Sequence, residues 1–556
     1  MSKRIVIIGG VAGGMSAATR ARRMNEHAEI IVIERSGHIS FANCGLPYYI
    51  GGAIKDAHKL LVTDPQRVKQ RFNIDVRVRH EATRIDRAGK TIDVTDLSSG
   101  RTFQLGYDKL ILSPGAVPIV PAIANVDAPN VFSLRSMDDT RAIDQWIRQR
   151  QPRNAVVVGA GFIGLEMAEA LHERGMGVTV VEKLPHPMPP LDEEMTAPIA
   201  AELARHDVKL IVGSGLKSLR AGSDGLVSAV EVEDGRVIPC DLVVLSIGVR
   251  PNVKLAQEAG LRIGSTGAIA VDGVQRTSDP DIYAVGDASE AIHAVTDAPV
   301  RIPLAGPANR QGRVAGEHAA TGQALPAGKV LGTAIMKLFD LAVGITGLCE
   351  RAARQAGFVD VDSAYVLPAN HAGYYPGAQA MRIKLVYDNA SGRVLGAQIV
   401  GGAGVDKRLD VIATAMHFKG TIDDLATLDL AYAPPFGSAK DAVHMAAFVA
   451  QNQRRGVMRA VPPGSLDDQQ LIDVRTPEEF AAGTIRGAIN IPLDELRRRH
   501  SELDRSRPIV VMCQVGLRGY VAQRMLEQLG FTQVKNLKGG FALARDVLKD
   551  RVTAAQ

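Results

Sequence analysis

The side chains best suited to redox or nucleophilic chemistry in this 556-residue chain are its four cysteines, Cys44, Cys240, Cys349 and Cys513. They lie far apart and none belongs to a CxxC pair, which argues against a disulfide scaffold or a structural zinc site. A lone cysteine is either a reactive thiolate or an inert, buried hydrophobe. The cysteine usage predicts a reduced, cytoplasmic protein without a metal site.

Cys513 opens a CxxGxR loop that ends at Arg518 and follows the apolar run Ile509–Met512. After a strand, such a loop can curl so that backbone N–H groups and the Arg518 guanidinium face the sulfur. This arrangement stabilises a thiolate or an anionic persulfide. The loop therefore predicts a stabilised thiolate or persulfide at Cys513.

Elements that could position a cofactor begin with the glycine-rich loop Gly9–Gly14, which follows the apolar strand Arg4–Ile8. A helix is predicted at Ser16–Met24, and the next strand, Ile30–Ile33, ends at Glu34. Glycines let the backbone approach a pyrophosphate at the helix N-terminus, and the acid accepts hydrogen bonds from ribose hydroxyls. The loop departs from GxGxxG at its middle position, and the predicted cofactor contacts are Gly9, Val11, Ala12, Gly13, Gly14, Glu34 and Arg35.

A second copy of the pattern has a complete GxGxxG after the strand Ala155–Val158, followed by a predicted helix at Leu165–Glu173 and a strand at Val178–Val181. Two such units predict a protein that holds two dinucleotides. An acid after the last strand favours the 2′-hydroxyl of NADH over the 2′-phosphate of NADPH, although Lys183 beside it weakens this inference. We expect NADH, with NADPH tolerated, and contacts from Gly159, Gly161, Phe162, Ile163, Gly164 and Glu182.

Further buried-type strands end in turns at Leu110–Gly115 and Val243–Gly248, and each could carry the chain between the two nucleotide domains. Asp287 follows a short strand within Thr277–Ala288. It is either a helix cap or a carboxylate that grips the ribityl chain of a flavin. The predicted cofactor contacts here are Ser113, Pro114, Gly115, Gly248, Asp287 and Ala305.

Composition narrows the class of protein. Apolar residues make up 46% of the chain, and the net charge of +5 is too weak to imply nucleic-acid binding. Glu166 and Glu169 interrupt the most apolar stretch, Ala155–Leu171, and Met1–Arg4 leads straight into a strand. We expect neither a nucleic-acid nor a membrane partner, and the length predicts about three to four domains.

Over residues 3–447, the order of these motifs resembles that in the flavoprotein pyridine nucleotide–disulfide oxidoreductases. Ser40–Tyr49 is similar to the single-cysteine motif of coenzyme A-disulfide reductases, and His371–Gly377 and Ala431–Phe436 are similar to their C-terminal motifs. Leu471–Pro492, together with the Cys513 loop, resembles a single-domain rhodanese. Thr484 stands where many rhodaneses have histidine, and we expect it to be structural.

The resemblance implies an α/β protein with two Rossmann-like dinucleotide-binding domains. FAD would bind residues 1–120 and 248–325, and NAD(P)H would bind residues 121–247. An α+β dimerisation domain would cover 326–450, a loosely ordered linker 451–468, and an α/β rhodanese-like domain 469–552. A homodimer is expected.

The implied reaction passes electrons from NAD(P)H through FAD to sulfur. Relatives with two neighbouring cysteines reduce a disulfide between them, whereas this motif has only Cys44, so its sulfur partner is either external or an oxidised form of Cys44 itself. We expect the pKa of Cys44 to be lowered by a helix start or the flavin. The substrate would be the persulfide of coenzyme A (CoA), polysulfide or CoA disulfide, and the choice among them stays open. Reduction would release sulfide from the first two and thiol from CoA disulfide, with Cys513 carrying sulfane sulfur.

Ser16, Arg20 and Arg23 share one stripe of the first predicted helix. By resemblance this stripe binds CoA phosphates; otherwise it is a solvated basic face. Further implied residues are Ser40 and Asn43 near the CoA thiol, Lys440 from the C-terminal part, and the phenols of Tyr374 and Tyr432, with the choice between Tyr374 and Tyr375 open.

Other activities remain as alternatives. An NADH oxidase or peroxidase would cycle Cys44 through a sulfenic acid. Peroxidases of this superfamily place a histidine where Ala12 stands, which argues against that reaction. Two further alternatives are a redox-sensing or interaction protein without fast turnover, and a rhodanese unit that donates sulfur to another protein and is regenerated by the reductase.

Overall fold

The computed structural model describes residues 3–466 and 468–553. The chain divides into two compact units: Met1–Pro189 with Leu203–Gly332, and Pro190–Glu202 with Thr333–Gln556. Within the described residues, no helix combines the length and the apolar character needed to cross a membrane.

The helices and strands follow in chain order. Up to residue 251 they are β1 (Arg4–Ile8), α1 (Ala12–Met24), β2 (Glu29–Glu34), α2 (Leu46–Ile50), α3 (Pro65–Phe72), β3 (Asp75–Val78), β4 (His80–Asp86), β5 (Thr91–Asp96), β6 (Thr102–Gly106), β7 (Lys109–Leu112), β8 (Ala116–Pro118), β9 (Val131–Phe132), α4 (Met137–Arg150), β10 (Asn154–Val158), α5 (Phe162–Glu173), β11 (Gly177–Val181), α6 (Ala197–Arg205), β12 (Lys209–Ile211), β13 (Leu216–Ala221), β14 (Val227–Val232), β15 (Val237–Pro239), β16 (Leu242–Leu245) and β17 (Val249–Pro251). From residue 254 to 454 they are α7 (Lys254–Glu258), β18 (Ile282–Ala284), β19 (Ala291–Ile292), β20 (Pro299–Val300), α8 (Ala305–Thr321), β21 (Ala334–Leu338), β22 (Leu341–Gly347), α9 (Glu350–Gln355), β23 (Val361–Val366), β24 (Met381–Asp388), β25 (Val394–Gly401), α10 (Val405–His417), α11 (Ile422–Ala426) and α12 (Ala442–Arg454). The last segment holds β26 (Ala460–Val461), β27 (Gln470–Asp473), α13 (Pro477–Ala481), β28 (Thr484–Ile485), β29 (Ile489–Asn490), α14 (Leu493–Arg499), β30 (Ile509–Met512), α15 (Leu517–Gln528), β31 (Val534–Leu537), α16 (Gly540–Val547) and β32 (Val552–Thr553).

Parallel sheets lie behind both glycine-rich loops. The first has the order β18-β7-β1-β2-β3 and the second β12-β11-β10-β16-β9. Alternate residues of β1 enter two different cores, with Ile5 and Ile7 on one face and Val6 on the other. This two-sided burial explains the continuous apolar run. The predicted α/β class with two Rossmann-like sheets is confirmed.

The chain passes between these two sheets through an antiparallel pair of short strands, β8 and β17. They directly follow Gly115 and Gly248, the turns predicted to carry the chain between the nucleotide domains. The segment after β17 returns to the first sheet, where β18 pairs with β7. The first dinucleotide-binding sheet is therefore built from two separate stretches of the chain.

The second unit contains an antiparallel sheet, β21-β22-β25-β24-β23, and a parallel sheet, β26-β31-β30-β27-β29. In the parallel sheet, Ile472 and Val511 face one core and Leu471 and Val510 face the other. The Cys513 loop leaves the carboxyl end of its central strand β30.

Two local expectations are corrected. Helix α1 begins at Ala12 and not at Ser16, and α5 begins at Phe162 and not at Leu165. The last residues of each glycine-rich loop thus form the first helical turn. Glycine there lowers helix propensity, but close packing outweighs this cost.

The expectation of a loosely ordered linker at 451–468 is wrong for most of that stretch, although Asp467 lies outside the described residues. Helix α12 continues to Arg454, and β26 pairs in parallel with β31. Val461 and Leu466 are buried in the core of the parallel sheet. These apolar positions are isolated in the sequence, so the polar composition around them conceals the packing.

Candidate active site

The two glycine-rich loops have the same backbone hydrogen bonds. Gly9 N donates to Ile33 O at 2.8 Å, and Gly159 N donates to Val181 O at 2.7 Å. Gly9 and Gly159 have φ angles of +101° and +104°, a region that glycine adopts most readily. A Cβ at Gly9 would lie 2.1 Å from Ser113 O. The tight turn therefore requires glycine.

The last glycine of each loop is equally restricted. A Cβ at Gly14 would lie 1.8 Å from Gly9 O, and one at Gly164 would lie 1.9 Å from Gly159 O. Val11 and Gly161 are the N-caps of α1 and α5, and neither makes a side-chain capping hydrogen bond within the described residues. Helix N–H groups are thus left for an anion. This geometry fits the pyrophosphate of a dinucleotide.

Glu34 and Glu182 play matching parts in the two copies. Glu34 accepts hydrogen bonds from Gly10 N and Ser36 N, both at 2.7 Å. Glu182 accepts from Ala160 N at 2.8 Å and from Leu184 N at 2.9 Å. Each buried carboxylate holds its loop, and its remaining lone pairs are available to a ribose.

Asp287 lies inside the 3₁₀ turn Gly286–Ala288, whose N-cap is Val285, so it is not a helix cap. Burial raises its pKa, and the Arg135 guanidinium, 3.9 Å away, opposes that shift. Arg135 also accepts a hydrogen bond at its carbonyl from the Asn43 amide at 3.4 Å. Sequence reasoning missed Arg135, which no motif marks.

The other predicted cofactor contacts lie around the loops. Ser113 N donates to Ile8 O at 2.7 Å. Arg35 makes an exposed ion pair with Glu81 at 3.6 Å. Ala305 is the first residue of α8, and the remaining positions lie in the turn after β7 or the first turns of α1 and α5: Pro114, Gly115, Ala12, Gly13, Phe162 and Ile163.

Cys44 is exposed and lies in the 3₁₀ turn Asn43–Gly45, directly before α2. Partial desolvation raises the pKa of Cys44, and the carboxylates of Glu166 and Asp287 raise it further. The expectation of a lowered pKa is therefore wrong for the chain by itself. The neighbouring acids outweigh the backbone hydrogen bond that favours the thiolate.

Glu166 and Tyr48 form a pair that sequence reasoning missed. Tyr48 Oη donates to Glu166 Oε1 at 3.3 Å. Burial raises the pKa of Glu166 to about 7 and that of Tyr48 to about 12. Glu166 lies two positions after Gly164 of the second glycine-rich loop, and Tyr48 lies four positions after Cys44. This closeness to the two motifs is the sequence feature that could have indicated the pair.

The predicted CoA residues on α1 face helix α8. Ser16 Oγ donates to Asn309 Oδ1 at 2.5 Å, and Arg20 pairs with Glu317 at 2.6 Å. The stripe is thus not a wholly solvated basic face, and Glu317 offsets one of its charges. Arg23 is exposed.

The remaining predicted CoA residues lie elsewhere. Ser40 has a φ of +45°, and its N–H donates to Gly10 O at 2.8 Å, so it adjoins the first glycine-rich loop. Asn43 lies beside Cys44. Lys440 is exposed in the second unit.

Tyr374 and Tyr432 are brought together in the second unit. Their hydroxyl oxygens lie 3.1 Å apart, and both side chains are exposed. The hydrogen bond raises the pKa of Tyr374. Tyr375 instead packs edge-on against His371 with ring centroids 5.6 Å apart. Tyr374 is therefore the partner of Tyr432.

The Cys513 loop is held from two sides. Gly516, whose φ is +107°, donates its N–H to Cys513 Sγ at 3.1 Å. Phe541 N, in the first turn of α16, donates to Cys513 O at 2.8 Å. A Cβ at Gly540 would lie 2.4 Å from the same carbonyl. Cys513 is buried, in a loop that α15 and α16 both fix.

Arg518 interacts with Glu479 as well as with the sulfur of Cys513. Its two terminal nitrogens donate to the two oxygens of Glu479, each at 2.7 Å. The buried Thr484 donates to Asp473 at 2.9 Å, which is a structural contact.

Comparison with known proteins shows which families the segments of the chain match. Residues 3–312 match the pyridine nucleotide-disulphide oxidoreductases, residues 333–443 match the dimerisation domain of that family, and residues 464–544 match the rhodanese-like domain. The chain belongs to the pyridine nucleotide-disulphide oxidoreductases. This oxidoreductase therefore belongs to a family that uses FAD and a nicotinamide nucleotide, and the glycine-rich loops described above fit two such groups.

Several relatives share its architecture. Reduced CoADR-RHD from Bacillus anthracis is 46% identical, with coverage of 100% of this chain and 99% of that one and a TM-score of 0.96. An NAD-dependent persulfide reductase from A. fulgidus is 40% identical, with coverage of 97% and 99% and a TM-score of 0.92. The coenzyme A disulfide reductase of Staphylococcus aureus (strain JH9) is 32% identical over 448 residues, which is 81% of this chain and 100% of the relative. The recognised resemblance is confirmed.

Proposed function

We propose that this oxidoreductase uses NADH to reduce CoA persulfide, polysulfide or CoA disulfide through Cys44, with Cys513 as a carrier of sulfane sulfur. The observation that carries the proposal is the exposed Cys44 beside a carboxyl that titrates near neutrality, in a chain with a second sulfur loop. Relatives named for CoA disulfide and persulfide reduction support the substrate class.

The first glycine-rich loop, Asp287 and Arg135 would hold FAD, and the second loop with Glu182 would hold NADH. Bound FAD would supply hydride acceptance from NADH and delivery of an electron pair to a sulfur–sulfur bond. Glu182 favours NADH because its carboxylate repels a 2′-phosphate. The FAD-binding domain would comprise residues 1–120 and 248–325, and the NADH-binding domain residues 121–247.

Cys44 would act as the nucleophile. Its thiolate attacks the outer sulfur of CoA–S–SH, a Cys44–S–SH persulfide forms, and the CoA thiolate leaves. Two electrons from NADH and one proton then convert Cys44–S–SH into the Cys44 thiolate and H₂S. Protonated Glu166, which accepts a hydrogen bond from Tyr48, would supply that proton.

Ser16, Arg20 and Arg23 would contact CoA. Arg20 would exchange part of its ion pair with Glu317 for a phosphate, which can also accept two hydrogen bonds from the guanidinium. Ser40, Asn43 and Lys440 complete the proposed contacts.

We also propose a homodimer, since residues 333–443 match the dimerisation domain of the family. In this dimer the Tyr374–Tyr432 pair would present its phenols to the sulfur chemistry of the neighbouring subunit. The hydrogen bond between the two hydroxyls leaves one proton free to donate.

The test is anaerobic NADH oxidation by the FAD-loaded enzyme with CoA persulfide, polysulfide, CoA disulfide and peroxide in parallel. We expect turnover with a sulfur substrate and sulfide release from persulfide. Turnover with none of the sulfur substrates would refute the proposal. An oxygen or peroxide rate above every sulfur rate would instead assign the Cys44 sulfenic acid reaction of an oxidase or peroxidase.

A further inference from the structure

Glu479 is anchored to two separate parts of the rhodanese-like domain. At the start of α13 it forms a capping box with Thr476: Thr476 N donates to Glu479 Oε2 at 3.0 Å, and Glu479 N donates to Thr476 Oγ at 3.3 Å. The same carboxylate accepts a hydrogen bond from each terminal nitrogen of Arg518, both at 2.7 Å. Such a fork-to-fork pair fixes the plane of the guanidinium as well as its position.

Arg518 belongs to the first turn of α15, the helix whose N-cap Gly516 donates to the sulfur. Arg518 and Cys513 interact electrostatically, and the pKa of Arg518 is raised by Glu479 first and by the Cys513 sulfur as well. Glu479 therefore competes with the sulfur for the positive charge of Arg518. Whatever sets the charge and direction of Arg518 also sets how strongly a thiolate is stabilised at Cys513.

Two cations near the loop have acidic partners of their own, and one of them, Arg475, also interacts electrostatically with Glu479. Arg475 donates to Gln514 at 3.3 Å and is held by the buried carboxylate of Asp473 at 2.7 Å. Lys538, before α16, pairs with Asp362 at 3.2 Å. Among the described acids near this loop, Glu479 is the one that pairs with Arg518, and Arg518 in turn interacts with Cys513.

We propose that Glu479 is a positioning residue for the sulfur chemistry of Cys513: its two carboxylate oxygens hold the Arg518 guanidinium in place and offset its positive charge. A thiolate loses nucleophilicity as its pKa falls, and attack is most effective when the pKa lies near the ambient pH. Glu479 would thereby keep sulfane sulfur transferable to and from Cys513. The inference rests on the proposed role of Cys513 as a sulfur carrier.

The experiment measures the pH dependence of alkylation by iodoacetamide at Cys513 in the full chain, read by mass spectrometry of the peptide that contains it. Glu479→Gln keeps the shape of the side chain but removes its charge. We expect the alkylation midpoint to fall by about one pH unit. The plateau rate constant should fall as well, because the more stabilised thiolate is a weaker nucleophile.

Two variants separate this role from a structural one. Glu478→Gln changes the neighbouring exposed acid of the same helical turn and should leave the midpoint unchanged. Glu479→Asp keeps the charge and should stay within about 0.3 pH unit of the wild type. An equal midpoint in all proteins, a rise in Glu479→Gln, or an unreactive Cys513 throughout would overturn the proposal. Since the assay contains neither NADH nor CoA, its failure is distinguishable from failure of the proposed reductase activity.

Discussion

The phenol of Tyr48 donates a hydrogen bond to the carboxyl of Glu166 at 3.3 Å, and the charge of this carboxyl raises the pKa of the Cys44 thiol. Helices α2 and α5 bring the two side chains together from positions 118 residues apart. Because burial raises the pKa of Glu166 to about 7, this carboxyl can hold and release a proton under ordinary conditions. The pair gives the proposed sulfur site a proton source that the glycine-rich loops do not supply.

Glu166→Gln tests this source. In the wild type, Glu166 is protonated below about pH 7 and ionised above it, so the step that protonates the departing sulfide should slow as the pH rises through about 7. The variant should lose that decline and be slower by about 100-fold at pH 6, the range expected of a general acid. Single-turnover reduction of a preformed Cys44 persulfide isolates this step from ionisation of the thiol, and its rates from about pH 5.5 to 8.5 measure both effects.

Glu173→Gln, at the exposed end of the same helix, is the matched control and should keep the wild-type profile. A Glu166→Gln enzyme whose pH profile still declines near 7 would show that another group supplies the proton.

Cys44→Ser and Cys513→Ser should separate the two sulfur sites. Cys44→Ser removes the proposed nucleophile and should lower NADH-dependent reduction of every sulfur substrate by about 10³-fold or more. Cys513→Ser should leave CoA disulfide reduction within about twofold, because that substrate brings no sulfane sulfur to carry. Anaerobic NADH oxidation and sulfide release measure the two functions. Equal loss of CoA disulfide reduction in both variants would contradict this division.

Gly159→Ala tests the strict requirement for glycine in the second loop. The residue has a φ of +104°, and a Cβ would lie 2.4 Å from Ser246 O. We expect a loss of about 1–3 kcal/mol in the free energy of unfolding and much weaker NADH binding. Chemical denaturation and titration with NADH measure these effects.

Gly161→Ala is the comparison, because a Cβ at Gly161 meets no atom within 4 Å. It should unfold like the wild type and affect only the approach of the dinucleotide. A Gly159→Ala protein as stable as Gly161→Ala would mean that the turn can relax.

Glu182→Gln tests nicotinamide choice. The amide keeps a hydrogen-bond acceptor for Ala160 N but no longer repels a 2′-phosphate. The ratio of kcat/KM for NADPH to that for NADH should rise about tenfold, which corresponds to the removal of about 1.4 kcal/mol of repulsion. Steady-state kinetics with NADH and with NADPH measure this ratio. If the ratio is unchanged in the variant, Glu182 does not select NADH.

The amino-acid sequence alone was sufficient to predict the two dinucleotide loops and the Cys513 loop. Their requirements are local: a positive φ at Gly9, a close approach at Gly14, and an acid at the end of the next strand are all encoded within about 30 residues. The α/β class was predictable for the same reason, since a strand buried on both faces is continuously apolar.

Tertiary structure decided which polar and charged side chains contact each other. The partners in Glu166–Tyr48, Arg20–Glu317 and Glu479–Arg518 lie 118, 297 and 39 residues apart. No periodicity marks such pairs, because each depends on how separate elements pack. The raised pKa of Cys44 and the ordered structure in much of 451–468 were missed for this reason: desolvation and isolated buried side chains are properties of the packed chain, and local composition does not reveal them.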